Sequence, residues 1–121
     1  MTTLQFSDMN RFDRILRENP HFAAGRLEAE QEIAAGSLGY RLKGKAPDVT
    51  AMTMARDELS RRFGITLQVD GHCMVMLDDA AQAEGYNQRM AEEFESRIGE
   101  NVIDDLFREV ERKLKKRRNR G

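Results

Sequence analysis

Residues 65–77 constrain this chain more than any other stretch. They read Ile65-Thr66-Leu67-Gln68-Val69, then Asp70-Gly71, then His72-Cys73-Met74-Val75-Met76-Leu77. Two β-prone runs separated by Asp-Gly form a strong short-range hairpin signal, because a two-residue type I′ turn needs positive φ at both central positions. With Asp70-Gly71 as the turn, Val69 falls opposite His72, Leu67 opposite Met74 and Ile65 opposite Met76. Cross-strand partners share a face. One face then carries Ile65, Leu67, Val69, Met74 and Met76, and is expected to meet helices. The other carries Thr66, Gln68, Cys73, Val75 and Leu77 and is expected to be half covered. A lone hairpin is marginal in water, so a third strand or packing helices must complete it.

Helical periodicity surrounds this stretch. Ser7 or Asp8 can cap a first helix that places Met9, Phe12, Ile15 and Leu16 on one side, and Asn19-Pro20 ends it. The pattern predicts a second helix over 22–35 with an arc of Phe22, Ala23, Leu27, Ala29, Ile33 and Ala34, stopped by Gly36. Leu38, Tyr40 and Leu42 alternate with Gly39, Arg41 and Lys43, the period of a strand. This is the expected third strand, an edge whose Arg and Lys point outward. A third helix over 49–63 carries Val49, Met52, Ala55, Leu59 and Phe63, with Met54 on the opposite side, and Gly64 stops it. Tyr86, Met90, Phe94 and Ile98 recur every four residues and mark a further helix closed by Gly99. Asn101 opens a last one bearing Val102, Ile103, Leu106, Phe107, Val110 and Leu114. The expected fold is therefore α+β. Four or five helices pack on a small, mainly antiparallel sheet of two or three strands built on a central β-hairpin.

At 121 residues the chain is one domain's length. Hydrophobic residues make up 40% and charged residues 34%, which implies a thin core under heavily charged outer helix faces. A single cysteine, Cys73, excludes an internal disulfide. The first residues show no signal-peptide pattern, and no apolar run approaches the roughly 18 residues of a membrane span. The expectation is a soluble, cytoplasmic protein of a reducing compartment.

The net charge of −1 conceals a polarity. Residues 1–111 hold 13 basic and 21 acidic residues, a net −8, whereas residues 112–121 hold seven cations and no acid. The expected division is a globular domain over 1–111 and a basic tail over 112–121 that extends the last helix. Arg112, Lys113, Lys115, Lys116, Arg117, Arg118 and Arg120 are candidate contacts to a phosphate backbone. No aromatic lies among residues 108–121 to stack on bases, so such binding would discriminate little between sequences. Cations at a helix C-terminus also favour the helix dipole, and docking on an acidic protein surface is a third use for them.

Catalytic signals are sparse. Gly39-Tyr40-Arg41-Leu42-Lys43-Gly44-Lys45 satisfies G-x-x-x-x-G-K, but Ala46 stands where a phosphate-binding loop needs Ser or Thr, and bulky residues fill the wrap. His72 and Cys73 adjoin, yet consecutive strand residues face opposite ways; His21 could approach Cys73 only through the fold. Two histidines and one cysteine give no metal-ligand spacing. The carboxylates at 28/30/32, 78/79, 92/93/95 and 104/105 read as solvated helix faces or caps. No cofactor and no metal is expected.

Function is accordingly expected to be non-enzymatic binding of an unidentified protein partner, of inhibitor, immunity or adaptor type, with Thr66, Gln68, Cys73 and Val75 and the acidic helix faces as candidate surfaces. The alternative is a nucleic-acid-associated protein acting through its tail, and the third reading is an enzyme using Cys73. A homodimer through the outer side of the 86–98 helix and the mixed hairpin face fits the same pattern.

Overall fold

A computed structural model describes residues 11–43, 49–70 and 76–120. Along the chain run α1 (Arg11–Glu18), α2 (Pro20–Ala34), β1 (Leu38–Lys43), α3 (Val49–Phe63), β2 (Ile65–Asp70), α4 (Leu77–Arg97) and α5 (Val102–Arg120). The α+β expectation holds in its coarse form: five helices surround a two-stranded sheet among the described residues.

The sheet itself corrects the expectation. β1 and β2 pair in parallel, with Leu38 beside Ile65, Tyr40 beside Leu67 and Leu42 beside Val69. The antiparallel hairpin centred on Asp70-Gly71 is not what organises the strands. Parallel strands need a long crossover, usually a helix, and α3 fills that role between β1 and β2. Gly64, at φ 68°, turns the chain from α3 straight into β2. The supposed third strand is thus the primary partner of β2. At the far side of Asp-Gly, Met76 is exposed and precedes α4, and Leu77 is the first residue of that helix, not the end of a strand. Short apolar runs do not distinguish a strand from the start of a helix; here Asp78 and Asp79 fall in the first turn of α4, where the helix dipole favours acids. Gly71, His72, Cys73, Met74 and Val75 lie outside the described residues.

Parallel register partners share a face. Ile65 and Leu67 are buried in the main core with Ala51, Met52, Ala55 and Leu59 of α3 and Ile103, Leu106 and Val110 of α5, while Leu38, Tyr40, Leu42 and Val69 pack against it half-buried. Gly39, Arg41, Thr66 and Gln68 occupy the other face, on which Tyr86 of α4 lies. The expected Met54 exposure gives way to partial burial against this core, and Val49 is exposed instead.

α2 and α4 pack unusually closely. Asn19 caps α2 by accepting the His21 N–H at 2.9 Å, with Pro20 following it. The buried line of α2 is Phe22, Gly25 and Ala29; Leu27, expected inside, is exposed. The arc drawn from apolar residues alone misses it because α2 meets α4 through a glycine and through polar side chains. α4 runs through Gly85, longer than its periodicity indicated, and buries Tyr86, Met90 and Phe94; Ile98 stands beyond its end and is exposed. On α1, Leu16 is buried against Phe22 and Ala81, whereas Phe12 and Ile15 are exposed.

Candidate functional site

Two polar features stand out: a cluster on the second sheet face, and the C-terminal half of α5. The cluster centres on Arg41. Rather than pointing outward from an edge strand, its side chain is 16% exposed. One Nη donates to Glu28 Oε1 at 3.0 Å and the other to Glu28 Oε2, and Nε donates to Gln68 Oε1 at 3.1 Å. The guanidinium carbon sits 3.8 Å from the centroid of the Tyr86 ring, a cation–π distance. Tyr86 donates its hydroxyl to Glu32 at 2.6 Å, and Gln82 donates to Glu28 at 3.1 Å.

Asn87 completes the arrangement. Its side-chain oxygen accepts the Arg41 backbone N–H at 2.7 Å and its amide donates to the Arg41 carbonyl at 2.6 Å. The amide side chain thereby stands in for a neighbouring strand on the outer edge of β1, which would otherwise invite pairing.

Electrostatics follow from the geometry. The Arg41 guanidinium holds the Glu28 carboxyl below its usual range, with Gln82 assisting. Burial opposes charge on Arg41, but Glu28 outweighs it. Burial first, and the Glu32 carboxylate second, push the Tyr86 phenol above its ordinary value. Among the described residues no buried side-chain nitrogen or oxygen lacks a hydrogen-bond partner. A cavity of about 250 Å³ bordered by Glu28, Arg41, Asp79, Gln82 and Ala83 adjoins the cluster. Its donors are already committed to one another, so the arrangement specifies the fold and leaves little to grip a ligand.

The nominated sheet-face residues are thereby divided. Thr66 and Gln68 are exposed, and Gln68 is engaged by Arg41; Cys73 and Val75 lie outside the described residues. His21 is exposed with Nε2 3.5 Å from Asp78, and its relation to Cys73 likewise falls outside them. Residues 39–43 of the phosphate-loop resemblance belong to β1, and Gly44, Lys45 and Ala46 lie outside the described residues. Gly39 lies inside the strand, and a Cβ there would come within 2.2 Å of the Tyr86 hydroxyl. The glycine makes room for that hydroxyl.

Several acidic clusters, expected as solvated faces, are partnered within the chain. Arg26 grips both oxygens of Glu92 at 2.9 and 3.0 Å, Arg89 and Arg97 share Glu93, and Glu30 lies 3.8 Å from Arg89. Among the described residues no three His, Cys, Asp or Glu side chains converge to hold a metal ion, and no helix is long and apolar enough to cross a membrane. A second cleft, of about 340 Å³, lies at the α4–α5 turn against Tyr40, Phe94, Glu95, Glu100, Asn101 and Asp104.

Residues 112–120 all belong to α5. Val110 is fully buried and Leu114 is half-buried; residues 111–113 and 115–119 are exposed. Lys113 reaches Glu109 at 3.5 Å and Glu58 at 3.9 Å. Arg112, Lys115, Lys116 and Arg117 have no carboxylate within ion-pair distance among the described residues, and Arg118 is exposed and engaged elsewhere. Arg120 is the last helical residue. At about 100° per residue, the positions of these cations go all the way round the helix instead of forming one stripe.

Comparison with protein-family models, with curated proteins and with solved structures finds no match.

Proposed function

We propose that this chain is a non-enzymatic binding protein whose contact element is the C-terminal half of α5, and that its partner is the phosphate backbone of a nucleic acid. The observation that carries the reading is the distribution of cations around an exposed helix. A helix resting on a protein surface needs charge on one side only. A helix lying in the major groove, about 12 Å wide, meets phosphates on both walls, and cations on all sides suit that position.

The net-negative remainder of the chain does not forbid this. From Val110 to Arg120 a helix advances roughly 15 Å, farther than the ~10 Å over which charge is screened at 0.1 M salt. Without aromatic residues near the tip, the binding is backbone contact with little base discrimination. The reading expected first from the sequence, a protein partner on Thr66, Gln68, Cys73 and Val75, has less support because Gln68 is engaged within the fold.

Fluorescence anisotropy of the full chain with a labelled mixed-sequence duplex tests the reading. The expected result is binding at about 50 mM salt that weakens steeply toward 200 mM, with a log–log slope of several units, since each phosphate contact contributes about −0.9. The variant Lys116→Glu/Arg117→Glu should reduce it severely while keeping native helicity. No anisotropy change at low salt, or binding indifferent to that variant, overturns the proposal.

A further inference from the structure

We infer that the outer surface of α5 is self-complementary, and that a second copy of this chain docks on it with the two helices antiparallel. Asp104, Arg108, Glu111 and Lys115 are all exposed. Their spacing of four, three and four residues places them within an arc of about 60° on the helix. Along that stripe the charges read minus, plus, minus, plus. Read from the other end they give plus, minus, plus, minus.

An antiparallel copy whose two-fold axis passes between Glu109 and Val110 therefore sets Asp104 against Lys115 and Arg108 against Glu111, and symmetry forms each pair twice. Parallel alignment in register would put like on like. Side chains of Asp105, Arg108, Glu109, Glu111, Arg112 and Lys115 border an open groove of about 630 Å³ along this side. Phe107 and Leu114, half-buried and seven residues apart, flank the stripe on its inner side. They would add apolar area to the contact.

Alternating charge at these spacings also stabilises a solitary helix through neighbours three and four residues apart. That use is weakly realised here. Arg108 lies 3.7 Å from Asp105, while Asp104, Glu111 and Lys115 form no ion pair among the described residues. Exposed pairs are individually weak, so the dimer is held by register and salt-sensitive attraction more than by tight affinity. It leaves Lys116 and Arg117 outside the paired stripe, at opposite ends of the dimer, and does not depend on the nucleic-acid reading.

Sedimentation velocity of the full chain, free of nucleic acid and measured up to millimolar concentration, tests this. Self-association is expected at about 50 mM salt and its loss near 0.5 M, where screening lengths fall to a few ångström. Asp104→Lys and Lys115→Glu should each weaken it by roughly tenfold or more, because symmetry turns two attractive pairs repulsive. The double variant Asp104→Lys/Lys115→Glu should restore it. That rescue separates the two explanations: within one helix the double variant makes both 104–108 and 111–115 like-charged, yet between copies every pair is opposite again. A monomer at every concentration at low salt overturns the inference. So do single reversals without effect, or a folded double variant that fails to associate. Lys116→Glu/Arg117→Glu should lose duplex binding and still dimerise, so the two proposals fail separately.

Discussion

Gly25 and Gly85 are reciprocal: a Cβ on either would press onto the backbone of the opposite helix. Built at Gly25, it would lie 2.0 Å from the Gln82 carbonyl oxygen of α4; built at Gly85, 2.0 Å from the Phe22 carbonyl oxygen of α2. The two helices are in backbone contact there, and that contact positions Glu28, Gln82 and Tyr86 around Arg41.

Replacing Gly85 with Ala should therefore destabilise the protein, although the same change in a solitary helix gains about 1 kcal/mol. Backbone cannot yield as a flexible side chain does, so the loss should be about 1–3 kcal/mol or more. Gly25→Ala should behave alike, and the double variant should lose less than the sum because one separation of the helices relieves both clashes. Urea unfolding midpoints check this, and a stabilised Gly85→Ala would refute the close crossing.

Asn87→Ala should leave the Arg41 N–H and carbonyl without their partner, at a cost of about 1–3 kcal/mol. Asn87→Asp keeps an acceptor and loses the donor, and should fall between. The Arg41 amide should exchange with solvent faster in Asn87→Ala than in the parent, while amides bonded between β1 and β2 change little. Equal exchange at Arg41 in both proteins would remove Asn87 from the role of edge cap.

Helix existence was legible because 3.6-residue periodicity is local: Met52, Ala55 and Leu59, or Tyr86, Met90 and Phe94, announce their burial by spacing alone. Strand alternation at Leu38, Tyr40 and Leu42 was legible for the same reason. Strand partnership was not. Asp70-Gly71 is a local turn signal, but parallel pairing arises from the crossover through α3, whose consequence appears only when distant strands are compared. Arg41 read as an outward edge charge because its compensation comes from Glu28, Gln68, Tyr86 and Asn87, up to 46 residues away. Gly39 and Gly85 looked like punctuation, and only the packed structure shows the atoms that their missing side chains admit. The basic run, by contrast, was plain in the sequence; its position on an exposed helix was what the structure added.

Acid stability should depend on Glu28. Its folded-state pKa is depressed by Arg41, so its contribution is present above the unfolded value near 4.5 and is lost as pH falls through the folded value. Glu92, held down by Arg26, acts in the same direction. Glu28→Gln should lower the melting temperature at neutral pH and flatten the acid limb of a plot of melting temperature against pH. Parallel acid limbs for parent and variant would show that the Arg41–Glu28 pair is not linked to folding.

Alkaline behaviour should report the two tyrosines, which are the chain's entire phenol content. Both phenols are raised above their ordinary value. Tyr40 is raised by burial, with Glu84 and Asp104 adding to it, and Tyr86 by burial and the hydrogen-bonded Glu32 carboxylate. A raised folded pKa means that stability is full below the unfolded value near 10 and is lost as pH climbs from there toward the folded values. Phenolate absorbance should consequently rise at higher pH in the folded chain than in the unfolded one. In denaturant both should titrate near 10. Glu32→Gln removes the carboxylate charge but leaves Tyr86 buried, so phenolate in that variant should begin to form at lower pH than in the parent. If a phenolate develops near pH 10 with near-ultraviolet and far-ultraviolet dichroism unchanged, at least one tyrosine is solvated, and the enclosure of Tyr86 between Gly39, Arg41 and Glu32 fails if Tyr86→Phe abolishes that signal.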